Sequence, residues 1–186
     1  MAVDELIQDA RRRMDRTIEA ARSEFNTVRT GRASAALLDR ISIDYYGQRT
    51  PLKQLATINA PEPRLLTVQP FDPSSLKAIE KAIQESDLGL TPSNDGRVIR
   101  LPIPQLTEER RKELVRLVRQ MAEDGRVAVR NVRRDVIHDL KELGHSGEIG
   151  DDDERRAEDR VQKLTDEHTR TIDELLKHKE AEIMEV

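Results

Sequence analysis

The fold is decided by the passage Leu101-Pro102-Ile103-Pro104-Gln105-Leu106-Thr107-Glu108-Glu109, in which a proline-rich region ends and a long helix begins. All eight prolines of the chain lie between Pro51 and Pro104. Because proline in a helix interior costs about 3 kcal/mol or more, both flanks can form long helices and the middle cannot. Thr107 is a suitable N-cap, and the two glutamates after it match the positive end of a helix dipole.

The two flanks predict three helices with one apolar face each. The first helix spans residues 3–29, the second spans 107–143, and the third begins at Asp151 after a glycine-containing loop. Apolar side chains recur in all three at steps of three and four. In the second helix this stripe is Leu114, Leu117, Val118, Met121, Gly125, Val129, Val132, Val136, Leu140 and Leu143. We therefore expect residues 1–30 and 105–186 to form a narrow antiparallel three-helix bundle.

The middle segment, residues 31–104, follows a different pattern. Residues 41–45, 65–69 and 98–101 read as strands, and a helix is predicted from Asp72-Pro73 to Leu88-Gly89. The predicted fold class is α+β, an elongated three-helix bundle with an inserted small β/α/β domain. Two short crossings join the parts and predict a hinge. Its residues are Arg29, Thr30, Gly31 and Arg32 on the way out and Pro102, Ile103, Pro104 and Gln105 on the way back.

Composition excludes several classes of protein. The chain has 186 residues, 37 % of them charged and 2 % aromatic, and it has no cysteine. Disulfide frameworks, thiolate metal sites and cysteine nucleophiles are therefore excluded. Since no apolar run is long enough for a membrane span and the first residues include early acids, we expect a cytoplasmic protein without a membrane partner. Because the bundle itself buries the apolar stripes, we expect a monomer.

The distribution of charge is more informative than its total. The net charge of −4 argues against a nucleic-acid partner. However, residues 148–186 carry 14 acids and 7 bases, whereas residues 107–134 carry nine bases and five acids. At about 100° per residue, eight of those nine bases fall on one side of the second helix. They are Arg111, Lys112, Arg116, Arg119, Arg126, Arg130, Arg133 and Arg134. Such a one-sided ridge suits a phosphate backbone, and the alternative is that these cations pair with the acidic third helix.

No pattern indicates catalysis, a cofactor or a metal site. The chain lacks a phosphate-binding loop, a serine nucleophile motif and a zinc-binding helix motif. His168 falls on the apolar stripe of the third helix, which favours a structural imidazole over a metal ligand. Tyr45 and Tyr46 are adjacent on a strand, so one should face the core and the other should be exposed, and base stacking is the less favoured role for the exposed ring. The runner-up function is a structural adaptor without an RNA partner, and an enzyme ranks third.

Several collinear strings resemble those of the bacterial ribosome recycling factor family. They include Val28-Arg29-Thr30-Gly31-Arg32-Ala33-Ser34, Tyr45-Tyr46-Gly47, Ser86-Asp87-Leu88-Gly89-Leu90, Leu106-Thr107-Glu108-Glu109-Arg110-Arg111-Lys112, Val127-Ala128-Val129-Arg130-Asn131-Val132-Arg133-Arg134-Asp135 and Val161-Gln162-Lys163-Leu164-Thr165-Asp166. Together they span essentially the whole chain. The resemblance differs at two places: Ala35 stands where the family often has proline, and Gly150 stands where it usually has a serine cap.

The resemblance implies a fold and a function. The fold would be an L-shaped, two-domain molecule with two hinge strands. The function would be to bind the post-termination ribosome on the large subunit and, with elongation factor G and its GTP hydrolysis, to split the subunits and release mRNA and tRNA. Ribosomal RNA contacts would carry over to Arg130 and Arg133, with Arg111 assisting, and the chain would hold no nucleotide itself.

Overall fold

The computed structural model describes residues 2–185, which divide into two compact units. The first unit comprises the chain up to Arg29 together with 108–185, and the second comprises 30–107. The predicted α+β class is confirmed. In chain order the elements are α1 (Ala2–Thr27), β1 (Ser42–Tyr45), β2 (Gln48–Pro51), β3 (Ala56–Glu62), β4 (Leu65–Pro70), α2 (Leu76–Glu85), β5 (Ser93–Asn94), β6 (Ile99–Pro102), α3 (Glu108–His145) and α4 (Asp151–Met184).

The first unit is a bundle of α1, α3 and α4, in which α3 runs antiparallel to the other two. Fully buried side chains such as Met14, Val118 and Ile172 form its core. The helices lie close together at Gly125, where an added Cβ would be 3.2 Å from Ile172 Cδ1 and 3.7 Å from Ala21 Cβ. A side chain at this position would require the end of Ile172 to move by a few tenths of an ångström.

One member of the predicted α3 stripe is wrong. Leu117 is 45 % exposed, whereas Ala122, one residue beyond the predicted Met121, is fully buried. The buried residues of α3 follow steps of three and four from Leu114 to Leu140. At about 100° per residue Leu117 lies roughly 95° from the middle of that stripe, so it faces away from the neighbouring helices.

The turn between α3 and α4 accommodates Gly150 without a side-chain cap. Gly150 has extended backbone dihedral angles, and its carbonyl accepts the Glu154 N–H at 3.0 Å. Four acids, Asp151 to Glu154, occupy the first turn of α4. Carboxylates there interact favourably with the positive end of the helix, which offsets the missing hydroxyl cap.

The second unit contains two antiparallel sheets and α2. β1 pairs with β2, and the larger sheet has the order β3-β4-β6-β5. Alternate residues of β4 and β6, together with one face of α2, form the core. Its fully buried members include Leu66, Val68, Ile79, Ile83, Ile99 and Leu101.

The sequence predicted part of this unit. β1, β4 and β6 confirm the three predicted strands to within a residue. β2, β3 and β5 were missed, since their residues are largely polar or exposed and lack an apolar alternation. The predicted helix limits were wrong: Asp72 caps a single 3₁₀ turn, Pro73–Ser75, and α2 proper spans Leu76–Glu85.

Candidate nucleic-acid interface

The cationic side of α3 is the candidate interface, and its arginines have different partners. A 38-residue helix holds them on one rigid element, because its buried stripe packs against both α1 and α4. Its exposed side presents basic side chains to solvent or to the acidic helix α4. The partner of each arginine decides whether its charge is available to an external anion.

Arg119 and Arg126, which we call the bracing arginines, form ion pairs with α4. Arg119 Nε donates to Glu180 at 2.7 Å, and Arg126 Nε donates to Asp173 at 3.0 Å. Arg126 also lies 3.4 Å from Glu123 on its own helix. Both guanidinium groups therefore form ion pairs across the α3–α4 seam, as the alternative interpretation of the sequence predicted for the ridge.

Arg133 continues the same seven-residue spacing but meets a neutral partner. Its Nη1 donates to the Gln162 amide oxygen at 3.1 Å. The Gln162 amide nitrogen in turn donates to Asp166 at 2.8 Å. Because the amide separates the arginine from that carboxylate, Arg133 keeps its full positive charge at the seam.

Arg130, Arg134 and Arg111 complete the predicted set. Arg130 pairs at 2.8 Å with Glu123 on the same helix, and both side chains are nearly half exposed. Arg134 is exposed, and no carboxylate lies within 4.0 Å of it in residues 2–185. Arg111 is half-buried, and its Nε has no hydrogen-bond partner among the described atoms. We call Arg133 and Arg134 the open arginines.

The predicted hinge residues occupy two kinds of environment. Arg29 and Thr30 follow the end of α1 and belong to no helix or strand. Gly31 has a left-handed φ of +75°, and an added Cβ would lie 3.0 Å from Leu106 Cγ, so this turn requires glycine. Arg32 follows it in extended chain and makes a polar contact.

The return crossing is tied into the second unit. Pro102 is the last residue of β6, and Ile103 is buried while its N–H donates to the Arg64 carbonyl at 2.8 Å. Pro104 and Gln105 are exposed. On the outgoing crossing, the Ala33 N–H donates to the Pro63 carbonyl at 2.7 Å.

The acidic partners on α4 were not predicted, although the spacing of residues in the sequence contains a signal for them. Asp166, Asp173 and Glu180 are spaced by seven residues, as are Arg119, Arg126 and Arg133. In antiparallel helices, matching seven-residue spacings bring opposite charges together once per two turns. This spacing would have identified the two bracing pairs, but it also pairs Arg133 with Asp166 and would not have revealed that Gln162 lies between them.

His168 joins α1 to α4. The ring is buried, with Nδ1 2.7 Å from the Leu164 carbonyl and Nε2 2.7 Å from an Asp15 carboxylate oxygen. Both contacts are internal to the bundle, in agreement with the structural role predicted for this histidine. Across residues 2–185, no group of three or more metal-ligating side chains comes together. In the same part of the chain, no helix is long and apolar enough to cross a bilayer.

Comparison with known proteins gives one consistent result. The sequence profile of the family described as "Ribosome recycling factor" matches residues 21–184. The ribosome-recycling factor of Rubrobacter xylanophilus is 63 % identical over 180 residues, which is 97 % of each chain. That of Geobacillus kaustophilus is 55 % identical over 182 residues, which is 98 % of each.

Two solved structures are similar over the full length. A solution structure of the ribosome recycling factor has a TM-score of 0.74 at 42 % identity and covers 100 % of this chain and 99 % of that one. The second is described as the T. thermophilus ribosome recycling factor and the E. coli elongation factor G bound to the E. coli post-termination complex. It has a TM-score of 0.65 at 49 % identity and covers 100 % of both chains.

Proposed function

The chain belongs to the ribosome recycling factor family, and from this premise we propose that it acts in ribosome recycling. One part of the cationic side of α3 would bind ribosomal RNA of the large subunit. Together with elongation factor G, the protein would then split the post-termination ribosome. Subunit splitting then releases mRNA and tRNA for a new round of translation. The observation that carries the proposed RNA contact is the difference in pairing between the bracing arginines and the open arginines.

The open arginines are the core of the proposed RNA contact. Arg133 donates only to a neutral amide, and Arg134 is exposed without a carboxylate nearby in the described residues. An arginine fork binds a phosphate through two parallel hydrogen bonds, and each such contact releases counterions from the RNA. Neither side chain has to break an ion pair before it binds.

Arg130 and Arg111 extend the contact along α3. Exposed ion pairs contribute only about 0–1 kcal/mol, so Arg130 can exchange Glu123 for a phosphate at little cost. The Nε of Arg111 is buried, so a phosphate contact by this arginine would fall to its terminal guanidinium nitrogens. Positions 111 and 133 are separated by roughly 33 Å of helix, which allows contact with several successive nucleotides.

The bracing arginines have a different role in this proposal. Arg119 and Arg126 each pair with a carboxylate of α4, so a phosphate that bound either arginine would replace a contact between two helices, whereas Arg130 pairs only within α3. We assign to them the alignment of α3 against α4. A bundle fixed in this way can transmit force without bending, and the proposed mechanism requires such a lever.

The proposed mechanism assigns the energy source to the partner. This chain binds the ribosome, transmits force through its bundle and performs no covalent chemistry. Elongation factor G supplies GTP hydrolysis. The second unit would then move on the two crossings while the bundle stays bound. Because Ala33 and Ile103 are hydrogen-bonded within the second unit, the freely rotating positions are those closest to the bundle, Arg29 and Thr30.

The direct test is sedimentation with post-termination ribosomes, followed by splitting with elongation factor G and GTP. We expect the protein to sediment with ribosomes in a salt-dependent manner and to produce free subunits only when both additions are present. Salt-independent sedimentation, or none, would favour the adaptor function instead. In the same experiment, binding should saturate at one copy per ribosome, as expected of a protein that acts as a monomer.

The hinge is tested separately with Thr30→Pro, which fixes one backbone angle in the outgoing crossing. Ribosome binding should remain within about twofold, since the arginines are untouched, while subunit splitting should be lost. As a control, Ala35→Pro places proline at the first position of the short 3₁₀ helix Ala35–Leu38 of the second unit, where it is tolerated, and should split ribosomes normally. Normal splitting by the Thr30 variant would refute the hinge.

A further inference from the structure

One acid lies within the cationic side of α3. Between Arg111 and Arg134 the helix has three acids, which are Glu113, Glu123 and Asp124. At about 100° per residue, Glu113 and Asp124 fall outside the arc of roughly 140° that holds the bases, whereas Glu123 falls within it. A carboxylate in the middle of a surface proposed to bind phosphate opposes that binding, so the question is which arginines it binds.

The carboxylate of Glu123 binds two arginines, one through each oxygen. Its Oε1 lies 2.8 Å from Arg130 Nη2, and its Oε2 lies 3.4 Å from Arg126 Nη1. Arg126 is one helical turn away, whereas Arg130 is two turns away, at a rise of about 10 Å along the axis. Both side chains of the longer contact must therefore be extended along the helix, which costs side-chain entropy.

The two arginines differ in what else holds them. Arg126 also donates from Nε to Asp173 on α4 at 3.0 Å, and its side chain is only 21 % exposed. The side chain of Arg130 is 42 % exposed, and within residues 2–185 Glu123 is the one carboxylate within 4.0 Å of it. Arg126 is therefore a fixed partner of Glu123, and Arg130 is a partner that can leave.

A phosphate that binds Arg130 has to displace Glu123. Carboxylate and phosphate oxygens accept from the same guanidinium donors, and an exposed ion pair of this kind is only marginally stable. The released carboxylate is not left unpaired, since Arg126 remains beside its second oxygen. Once the phosphate leaves, Glu123 is positioned to bind Arg130 again.

From these contacts we propose that Glu123 is an internal competitor of RNA for Arg130 and shortens the time for which the protein stays bound to the ribosome. The inference rests on the proposed function and adds to it a residue that opposes the RNA contact. A competing group tethered beside the arginine acts mainly on the dissociation rate, because it closes the vacated contact before the phosphate returns. Reversible binding would let one molecule act on successive ribosomes.

Two substitutions at Glu123 separate pairing from charge. Glu123→Gln keeps the size of the side chain and removes its charge, so Arg130 would have a neutral amide as its partner, as Arg133 has. Glu123→Asp keeps the charge and is one methylene shorter, so it should reach Arg126 but not Arg130. We expect both variants to bind post-termination ribosomes more tightly, about three- to tenfold for Glu123→Gln and about two- to fivefold for Glu123→Asp.

The dissociation rate is the decisive measurement. Labelled full-length protein is bound to post-termination ribosomes and chased with an excess of unlabelled protein, and both variants should leave more slowly by about the same factors. Unchanged or faster dissociation of Glu123→Gln would overturn the inference. A Glu123→Asp variant that dissociates like the unaltered protein would do the same, because the effect would then come from net charge alone.

Asp124→Asn is the matched control. Asp124 is the adjacent acid, lies outside the cationic side and accepts from Gln120 at 3.0 Å. Its loss changes the net charge by the same amount as Glu123→Gln, and affinity should change by less than about twofold. In a second control, Glu123→Gln is combined with Arg130→Ala, and the gain should shrink to that of Asp124→Asn. A full gain without Arg130 would contradict the competition.

Arg130→Ala alone separates this inference from the function on which it rests. If the unaltered protein fails to sediment with ribosomes, the proposed function falls and the inference falls with it. If the protein sediments but Arg130→Ala binds equally well, Arg130 is not an RNA contact and only the inference falls. If Arg130→Ala weakens binding and the Glu123 variants do not strengthen it, the RNA contact stands and the competing role of Glu123 is refuted.

Discussion

Three arginines on α3 share one seven-residue spacing but have different neighbours: they are Arg119, Arg126 and Arg133. Arg119 and Arg126 each meet a carboxylate of α4, whereas Arg133 meets the amide of Gln162. Whether an arginine is available to a ligand therefore depends on its partner on α4 and not on the spacing of the arginines along α3. An amide that lies between Arg133 and the α4 carboxylate Asp166 separates the proposed RNA contact from a bracing contact.

The largest expected effect comes from removing the open arginines. The double variant Arg133→Ala, Arg134→Ala should lower ribosome affinity by about tenfold to several hundredfold, since each charge-assisted hydrogen bond to phosphate contributes about 1.5–3 kcal/mol and part of the contact remains. Sedimentation at about 0.15 M salt measures this loss. The matched double variant Arg119→Ala, Arg126→Ala should keep its affinity within about threefold, and an equal loss in both would contradict the division.

A smaller effect is expected when a carboxylate is introduced at Gln162, the neutral partner of Arg133. Gln162→Glu places a carboxylate beside Arg133 and makes it resemble the bracing arginines. Affinity should fall about three- to tenfold, because the phosphate must now compete with an internal acid. The control is Gln162→Met, which supplies no charge. A glutamate variant that binds as tightly as the methionine variant would show that pairing does not govern the contact.

The reverse change should have a weaker effect of opposite sign. Asp173→Asn and Glu180→Gln together release Arg126 and Arg119 from their carboxylates. Ribosome affinity should rise by at most about threefold, with a steeper dependence on salt, because the released cations add long-range attraction to RNA. Weaker binding with an intact fold would indicate that the bracing pairs position the RNA-binding residues.

The smallest effect concerns a third interhelical pair, between Asp4 and Arg160 at 2.9 Å. The hydrogen bond from Arg160, aided by its charge, holds the pKa of Asp4 below its usual value. Since the folded-state pKa is the lower one, the stabilisation is complete above the pKa of the unfolded chain, about 3.9, and is lost as pH falls through the folded value. Asp4→Asn should therefore reduce thermal stability slightly at pH 6, and this reduction should shrink as the pH falls below the pKa of the unfolded chain, as measured by circular dichroism.

The sequence predicts best those helices and strands that local patterns specify. The proline-free flanks and the N-cap region at Thr107 predicted α1, α3 and the start of α4 to within two residues, because periodicity and caps act over single turns. The strand β3 was missed, since its exposed residues take their structure from pairing with β4 and not from their own pattern. The helix α2 was predicted too long at both ends, because Asp72-Pro73 initiates a 3₁₀ turn and not the helix proper.

The candidate site shows the same limit. A helical wheel places Arg119 and Arg133 on the same side, but it contains no information about α4. Arg119 and Glu180 are 61 residues apart in sequence, and only the antiparallel packing of α3 and α4 brings them together. The predicted hinge was similarly uniform in sequence, whereas Ile103 is buried in the second unit and Thr30 lies outside any regular element.

The salt dependence of ribosome binding by two single variants, Arg133→Ala and Arg126→Ala, tests directly whether pairing with α4 decides which arginines bind RNA. The slope of log affinity against log salt reports the number of phosphate contacts. We predict that the slope becomes shallower by about 0.7–0.9 for Arg133→Ala and stays unchanged for Arg126→Ala. Equal changes in the two variants, or no change for Arg133→Ala in a folded protein, would contradict the proposed division between open and bracing arginines.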